Sequence, residues 1–282
     1  MKVTMLGSGT SSGVPRIGGP DGAGDWGACD PGNPKNRRRR VSLLVQQGDA
    51  SILIDTGPDL REQLLSARIS HLDAVFITHD HADHAHGIDD LRQVFHAMGT
   101  PVACFASPAT WAVLRRRFDY VFEGTKFYPP TCTATDLSGP VHVGRMLVTP
   151  FEQNHGNIDS TGFRIECGGR ALAYSTDVKA LDGRADAALA GLDLWVVDAL
   201  RRNPHPTHSH LDQTLGWIAR YLPELAVLTH MDQSMDHATL AAELPPGVVP
   251  GYDGLVIELP ARGDEKRRCT GALQAQSIRN QA

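Results

Sequence analysis

Short apolar runs recur along the chain, each closed by glycine, proline, asparagine or aspartate, and they set the expected elements. Residues 2–6, 41–45, 51–57, 74–77, 102–106, 171–174, 194–198, 225–230 and 255–259 are rich in apolar and β-branched side chains and read as strands. Between them lie segments with helical spacing. Residues 58–69 open with proline in the first turn, and in 87–98 the residues Ile88, Leu91, Val94, Phe95 and Met98 form one apolar stripe. Residues 108–122, 211–222 and 236–244 complete the helical set, while 123–173 alternates short β-like runs such as 141–143 and 145–149 with turns. No internal repeat and no Pro/Ser linker interrupts this alternation, so residues 1–260 are expected to form one α/β domain of sheets sandwiched by helices. From Pro260 onward the chain turns polar, and 261–282 is expected to be a loosely ordered tail.

Composition narrows the function classes. At 282 residues with 41% apolar content the chain can bury a sizeable core. Its net charge of −5 argues against a protein built to grip long nucleic acid, which usually shows a basic domain or stripe. Cys29, Cys104, Cys132, Cys167 and Cys269 are odd in number, widely spaced and without a CxxC pair, as expected of reduced thiols in a cytoplasm. The start has no signal-peptide apolar region, and no 18-residue apolar run is present to span a bilayer. A cytoplasmic location without a membrane partner is the resulting expectation.

The densest chemistry is Thr78-His79-Asp80-His81-Ala82-Asp83-His84, between the apolar run 74–77 and the helical segment 87–98. Imidazole and carboxylate are the usual nitrogen and oxygen donors for zinc, manganese and iron. Residues two apart in extended chain project to one side, so His79 and His81 can converge on one ion while Asp83 and His84, opening a helix, face a second. His86 falls about 200° round a helix from His84 and is expected to be structural.

This stretch carries the HxHxDH signature, and the chain resembles the metallo-β-lactamase superfamily, specifically its cyclic-phosphodiesterase and transfer-RNA 3′-end nuclease branch. The resemblance implies an αββα four-layer sandwich of two mixed β-sheets flanked by helices, with further ligands on later loops. Asn154-His155-Gly156, Tyr174-Ser175-Thr176-Asp177 and Leu228-Thr229-His230 stand where that branch places a histidine, a bridging aspartate and a last histidine. The implied assignment gives one metal to His79, His81 and His155 and a second to Asp83, His84 and His230, with Asp177 between them. Two divalent transition-metal ions, zinc or manganese, are the implied cofactors. Asp55 of Asp55-Thr56-Gly57 and Asp198 at a strand end are expected to support ligands by hydrogen bonds.

His205-Pro206-Thr207-His208-Ser209-His210 resembles the histidine segment of the same branch. His208, followed by Ser209 and by Asp212 four residues on, fits its register, which implies a general acid for the leaving alkoxide; His205 and His210 do not fit. Relatives often bind an additional structural zinc through a cysteine cluster near residue 29; with Cys29 alone there and Gln233 three residues past His230, that zinc is expected to be absent.

Other members diverge from this chain at readable positions. Thioesterase and glyoxalase-like members carry TPGHT-type sequence where this chain has Gln153-Asn154-His155-Gly156-Asn157. Lactamase-type members place cysteine at Asp177, and oxygen-reducing members an acidic residue at His81. Hydrolysis of a small or cyclic phosphodiester is therefore the leading expectation, with no stable nucleic-acid binding, since no basic, Gly-rich arm is inserted; a homodimer is compatible with it. A transfer-RNA 3′-end endoribonuclease and a non-hydrolytic or oxygenase-like accessory protein of cofactor biosynthesis are the alternatives.

Two basic or glycine-rich features stay open. Gly7-Ser8-Gly9-Thr10-Ser11-Ser12-Gly13 is either a tight turn beside the metal motif or a phosphate cradle, with the turn favoured because no helix follows. The run Arg37-Arg38-Arg39-Arg40 is expected to be a solvated face, the alternative being one arginine turned inward to a substrate phosphate.

Overall fold

A computed structural model describes residues 1–263. Seven strands form the first sheet: β1 (Lys2–Gly7), β2 (Ser42–Gln47), β3 (Ala50–Ile54), β4 (Ala74–Phe76), β5 (Val102–Ala106) and β6 (Cys132–Asp136), with β14 (Val256–Glu258) beyond β1. The second sheet runs in spatial order β13 (Val248–Pro250), β12 (Leu225–Thr229), β11 (Leu194–Asp198), β10 (Arg170–Ser175), β9 (Ile158–Cys167), β8 (Met146–His155) and β7 (Val141–Val143). Both sheets are mixed. Strands β3 to β6 and β10 to β13 pair in parallel, the rest antiparallel.

The alternation of side chains along each strand separates three apolar layers. Leu43, Val45, Ile52, Ile54 and Phe76 point inward to meet Phe163, Leu172, Tyr174, Val196 and Val227 of the opposite sheet. Leu44, Leu53 and Val75 point the other way and pack under α1 (Leu60–Ala67), the later α3 (Leu91–Met98) and α4 (Pro108–Arg117). On the far side Ala173, Trp195, Val197 and Leu228 are covered by α6 (Asp186–Leu189), α7 (Leu211–Tyr221) and α8 (His237–Glu243). The result is an αββα sandwich of two mixed sheets flanked by helices.

Several expected elements differ in detail. The segment 87–98 is a 3-10 turn at Ile88–Asp90 followed by α3, and a separate single turn, α2 (Ala82–Ala85), carries Asp83 and His84. Residues 108–122 break at Phe118 (φ −132°) into α4 and α5 (Asp119–Phe122). The short β-like runs of 146–167 are instead two ten-residue strands in one hairpin, β8 and β9. Polar residues at their exposed positions masked that length. At the other end Arg262 is docked, its backbone N–H donating to Gly168 O and its guanidinium pairing with Asp193 at 3.0 Å; the rest of the expected tail lies outside the described residues.

The arginine run is not a solvated face. Arg37 lies 5.0 Å above the Trp26 ring, Arg39 pairs with Asp253 at 3.1 Å and Arg40 with Asp59 at 3.0 Å. Arg38 is fully buried, donating to Asp232 O at 3.2 Å and Met235 O at 2.5 Å beside Cys29 Sγ at 3.7 Å. These four side chains reach different parts of the chain because the extended segment 37–40 pairs along the loop after β1 at Gly9 and Val14, and that loop pairs in turn with Met231. Gln233 O receives the Ala28 N–H in the same place.

Candidate metal centre

The parallel strands of both sheets end at one rim, the usual place for a ligand in open α/β sheets. Three strand ends turn there through left-handed backbone at non-glycine residues: Asp55 (φ 64°) after β3, Asp177 (φ 51°) after β10 and His230 (φ 58°) after β12. Arg68 and Leu222, the other two such residues among those described, merely cap helices. Left-handed backbone is uncommon outside glycine, with aspartate and histidine among the side chains that tolerate it best, and here it swings these three into the site.

His79 and His81 follow β4, Asp83 and His84 sit on α2, and His155 ends β8. The seven expected ligands come together. Potential ligand atoms of His79, His81, His155 and Asp177 lie within 4.8 Å of one another, as do those of Asp83, His84 and His230. Asp177 divides its carboxylate between the groups. Its Oδ2 lies 3.6 Å from His79 Nε2 and 3.3 Å from His155 Nε2, whereas Oδ1 lies 3.1 Å from His84 Nε2 and 3.3 Å from His230 Nε2. Asp83 Oδ2 completes the second group at 3.3 Å from His84 and 3.4 Å from His230.

The donor set fits cations. His79 Nε2 and His84 Nε2 are buried without any hydrogen-bond partner, although a buried polar atom is ordinarily paired. The opposite ring nitrogens are held so that Nε2 is the one presented: His84 Nδ1 donates to Asp55 Oδ2 at 2.8 Å and His155 Nδ1 to Thr207 O at 2.8 Å. Asp55 in turn accepts from Thr78 N–H and Oγ1 at 2.8 and 3.0 Å. Burial alone would lower the His84 and His230 imidazole pKa values. Asp177 and Asp83 overcome it, holding His84 well above its ordinary range and His230 up to about 9. Burial, helped by positive charge on His84, keeps the His79 pKa well below the usual value, so its lone pair is available to a cation. Two buried carboxylates therefore draw positive charge from their surroundings, which divalent ions would supply.

His208 stands at the edge of this cluster. Its Nδ1 lies 3.0 Å from Asp198 Oδ2 and its Nε2 3.7 Å from Asp177 Oδ2, with the ring stacked 4.8 Å from His230. The carboxylate that orients it is Asp198; Asp212, four residues on, is exposed on the first turn of α7. His208, Asp177 and His230 also satisfy the reach of a metal group. His205 is packed 5.1 Å from His208 ring to ring, while His210 precedes α7. His86 is exposed, edge-on to Phe118, and His142 is exposed on β7.

Other contributors were hidden in the sequence. Arg117, exposed near the end of α4, donates from Nη1 to Asp80 O at 2.6 Å and pairs with Asp80 Oδ2 at 3.0 Å, anchoring the histidine loop. Gly57 and Gly87 allow α2 to lie on the turn after β3: a Cβ at Gly87 would fall 2.0 Å from Gly57 O, and one at Gly57 would fall 2.2 Å from Asp83 O. Thr56 N–H donates to His84 O and Gly87 N–H to Thr56 O, both at 2.7 Å. Gly87→Ala is accordingly expected to cost about 1–3 kcal/mol of stability by overpacking. The shifted α2 should also weaken metal binding ~10–100-fold, as loss of a supporting contact does. Thermal melts and metal content after dialysis check both.

A family model described as a Beta-lactamase superfamily domain matches residues 50–231. The chain belongs to the metallo-β-lactamase superfamily. The chain is 33% identical over 274 residues to an octanoyltransferase of Porphyromonas gingivalis, a match covering 93% of this chain and 52% of that one. It is 29% identical over 137 residues to a ribonuclease Z of a Bradyrhizobium species, covering 47% and 46%. The chain thus spans about half the length of these two relatives. Among solved structures of the superfamily fold, a diphosphatase of the PhnP family superposes with a TM-score of 0.83 at 33% identity, covering 92% of this chain and 98% of that one. Zinc-bound PqqB from Methylobacterium extorquens superposes at 0.71 with 20% identity, covering 92% and 100%, a likeness of fold alone. No helix among the described residues is long and apolar enough to cross a membrane.

Proposed function

We propose that this chain is a metal-dependent phosphodiesterase that holds two divalent ions, zinc or manganese, and hydrolyses a small or cyclic phosphate ester. The observation that carries the reading is the pairing of a carboxylate split between two ligand groups with an imidazole, His208, oriented by Asp198 at its edge. His79, His81 and His155 would hold one ion, Asp83, His84 and His230 the other, and Asp177 both. Bound there, the ions supply Lewis acidity toward phosphoryl oxygens and lower the pKa of water. Two ions and two ligand carboxylates leave net positive charge, which suits an anionic diester. Asp55 and the Thr207 carbonyl keep the His84 and His155 rings in the ligating orientation, and His208, protonated on Nε2, donates to the departing alkoxide. The 33% identity to a PhnP-family diphosphatase over nearly its whole length supports hydrolysis at a phosphoryl group.

One observation favours a second reading. The relative named octanoyltransferase, of which this chain covers 52%, raises acyl-group chemistry as that reading. A panel of cyclic phosphates, small phosphodiesters, precursor transfer RNA and an octanoyl thioester, each with zinc- or manganese-loaded protein, decides between them. Turnover of the small phosphodiesters at a kcat/KM at least tenfold above the rest is expected. Site-specific cleavage of precursor transfer RNA, or faster thioester hydrolysis, would replace the proposal, and no turnover of any substrate would favour a non-hydrolytic accessory protein.

A further inference from the structure

His230 differs from His79, His84 and His155 in how its ring is aimed. His79 Nδ1 lies 3.0 Å from Thr78 Oγ1, and the Nδ1 atoms of His84 and His155 are held by Asp55 and the Thr207 carbonyl, whereas His230 Nδ1 is buried with no hydrogen-bond partner among the described residues. A ligating histidine is ordinarily oriented by a bond from its second nitrogen. For His230 the main chain takes that role. The residue turns through left-handed backbone (φ 58°), and the segment after it is tied down at successive residues: Met231 N–H donates to Ser8 O at 3.0 Å, Asp232 N–H to Leu200 O at 2.9 Å, and Gln233 O accepts from Ala28 N–H at 2.9 Å. The approach of the loop at Gly27 is so close that a Cβ there would fall 2.7 Å from Gln233 O.

Arg38 completes this clamp. Its Nη1 donates to Asp232 O at 3.2 Å and its Nη2 to Met235 O at 2.5 Å, so one guanidinium holds two carbonyls three residues apart, the first of them two residues past His230. The stem is fixed as well, because the Arg38 backbone exchanges hydrogen bonds with Val14 at 2.8 and 2.9 Å. Arg38 is only 2% exposed, and among the described residues no carboxylate pairs with it. Its third neighbour is Cys29 Sγ at 3.7 Å, a thiol whose pKa burial pushes up. The positive charge therefore faces neutral acceptors, and burying a cation in that way costs several kcal/mol of desolvation. An uncharged side chain would avoid the cost but lacks the planar fork that spans both carbonyls. Neither the loop that carries Arg38 nor residues 232–235 supply a ligand; the ligand they adjoin is His230.

We infer that Arg38 is a positioning residue for the metal centre: by holding the Asp232 and Met235 carbonyls it fixes the main chain from which His230 projects, and so sets the affinity of the ion held by Asp83, His84 and His230. The inference rests on the ligand assignment of the reading above.

Titration of the full chain with zinc, in competition with a chromophoric chelator, tests it. Arg38→Met should weaken one of the two binding steps roughly 10–100-fold, the effect of losing a contact behind a ligand, and leave the other within about threefold. His230→Ala identifies the step, since it should abolish the one that Arg38→Met weakens. Adding Arg38→Met to His230→Ala should then leave the remaining ion unchanged, because with the ligand gone Arg38 has nothing to position. Arg38→Lys should recover only part of the loss, because an ammonium lacks the fork. Arg37→Met, which gives up the Trp26 contact in the same loop, should leave both steps as they are. Equal weakening of both ions by Arg38→Met, or weakening of the remaining ion when it is added to His230→Ala, would mean a general loosening of the fold and would overturn the inference. Should Arg38→Met fail to fold, Arg38→Lys carries the same comparison: a selective loss supports the positioning role and an unselective one or none rejects it. These titrations read metal binding without turnover, so failure of the phosphodiester reading appears separately, as two ions bound and no hydrolysis.

Discussion

Asp177→Ala is expected to reduce the metal content from two ions per chain to one at most and to lower phosphodiester turnover by ~10³-fold or more, the scale of losing several kcal/mol of transition-state charge stabilisation. The residue is fully buried and meets four imidazoles, two from each ligand group, through different oxygens. Removing it does not take away one ligand among seven; it takes the shared ligand of both groups. Asp55→Ala supplies the contrast. That carboxylate touches His84 Nδ1 but faces no ligand pocket itself, so a weaker loss of ~10–100-fold in metal affinity is expected, with two ions still bound at saturating metal. Elemental analysis of protein purified without chelator, followed by titration with zinc and manganese, separates the two variants. A maximum of one ion in the parent protein, unchanged by Asp177→Ala, would be incompatible with the dinuclear assignment.

The candidate ligands were legible because metal chemistry restricts residue type, and β4, β10 and β12, which precede three of them, are short runs buried almost throughout. His79, His155, Asp177 and His230 all lie at or just past the end of an apolar strand, so the sequence pattern located them before their distances were known. Supporting contacts were harder to read. Asp198, expected to give a supporting hydrogen bond, sits ten residues before His208, and which residue it supports shows only once β11 and the loop before α7 are brought side by side. Arg117 and Arg38 illustrate the same limit. A basic residue in isolation reads as solvated, and only the fold shows that Arg117 holds the Asp80 loop or that Arg38 is buried on the carbonyls of Asp232 and Met235. Hydrogen bonds to backbone carbonyls leave no trace in residue type, since every residue carries the same acceptor.

His208 is the residue whose role geometry leaves between two chemistries, because its Nε2 faces Asp177 at 3.7 Å and its ring is stacked on His230. The Asp198 contact favours a proton donor. A carboxylate on Nδ1 fixes the ring orientation and leaves Nε2 as the nitrogen that reaches the leaving oxygen. His208→Ala is therefore expected to leave metal content near two ions while lowering turnover of diesters with alkoxide leaving groups by ~10²–10⁴-fold, the usual size of a general-acid contribution. A nitrophenolate leaves without needing a proton. Hydrolysis of bis(4-nitrophenyl) phosphate should consequently fall far less, and the ratio of the two deficits measures the proton transfer directly. His84→Ala, by contrast, removes an atom that faces Asp83 and Asp177 at 3.3 and 3.1 Å and should damage both reactions alike. Asp198→Asn tests the orienting contact: the amide no longer offers two equivalent acceptors to hold the ring, so the alkoxide reaction should slow and the nitrophenolate reaction should not. If His208→Ala instead strips an ion, the third metal-competent group of Asp177, His208 and His230 is the operative one, and His205, packed against the same ring, becomes the next donor to examine.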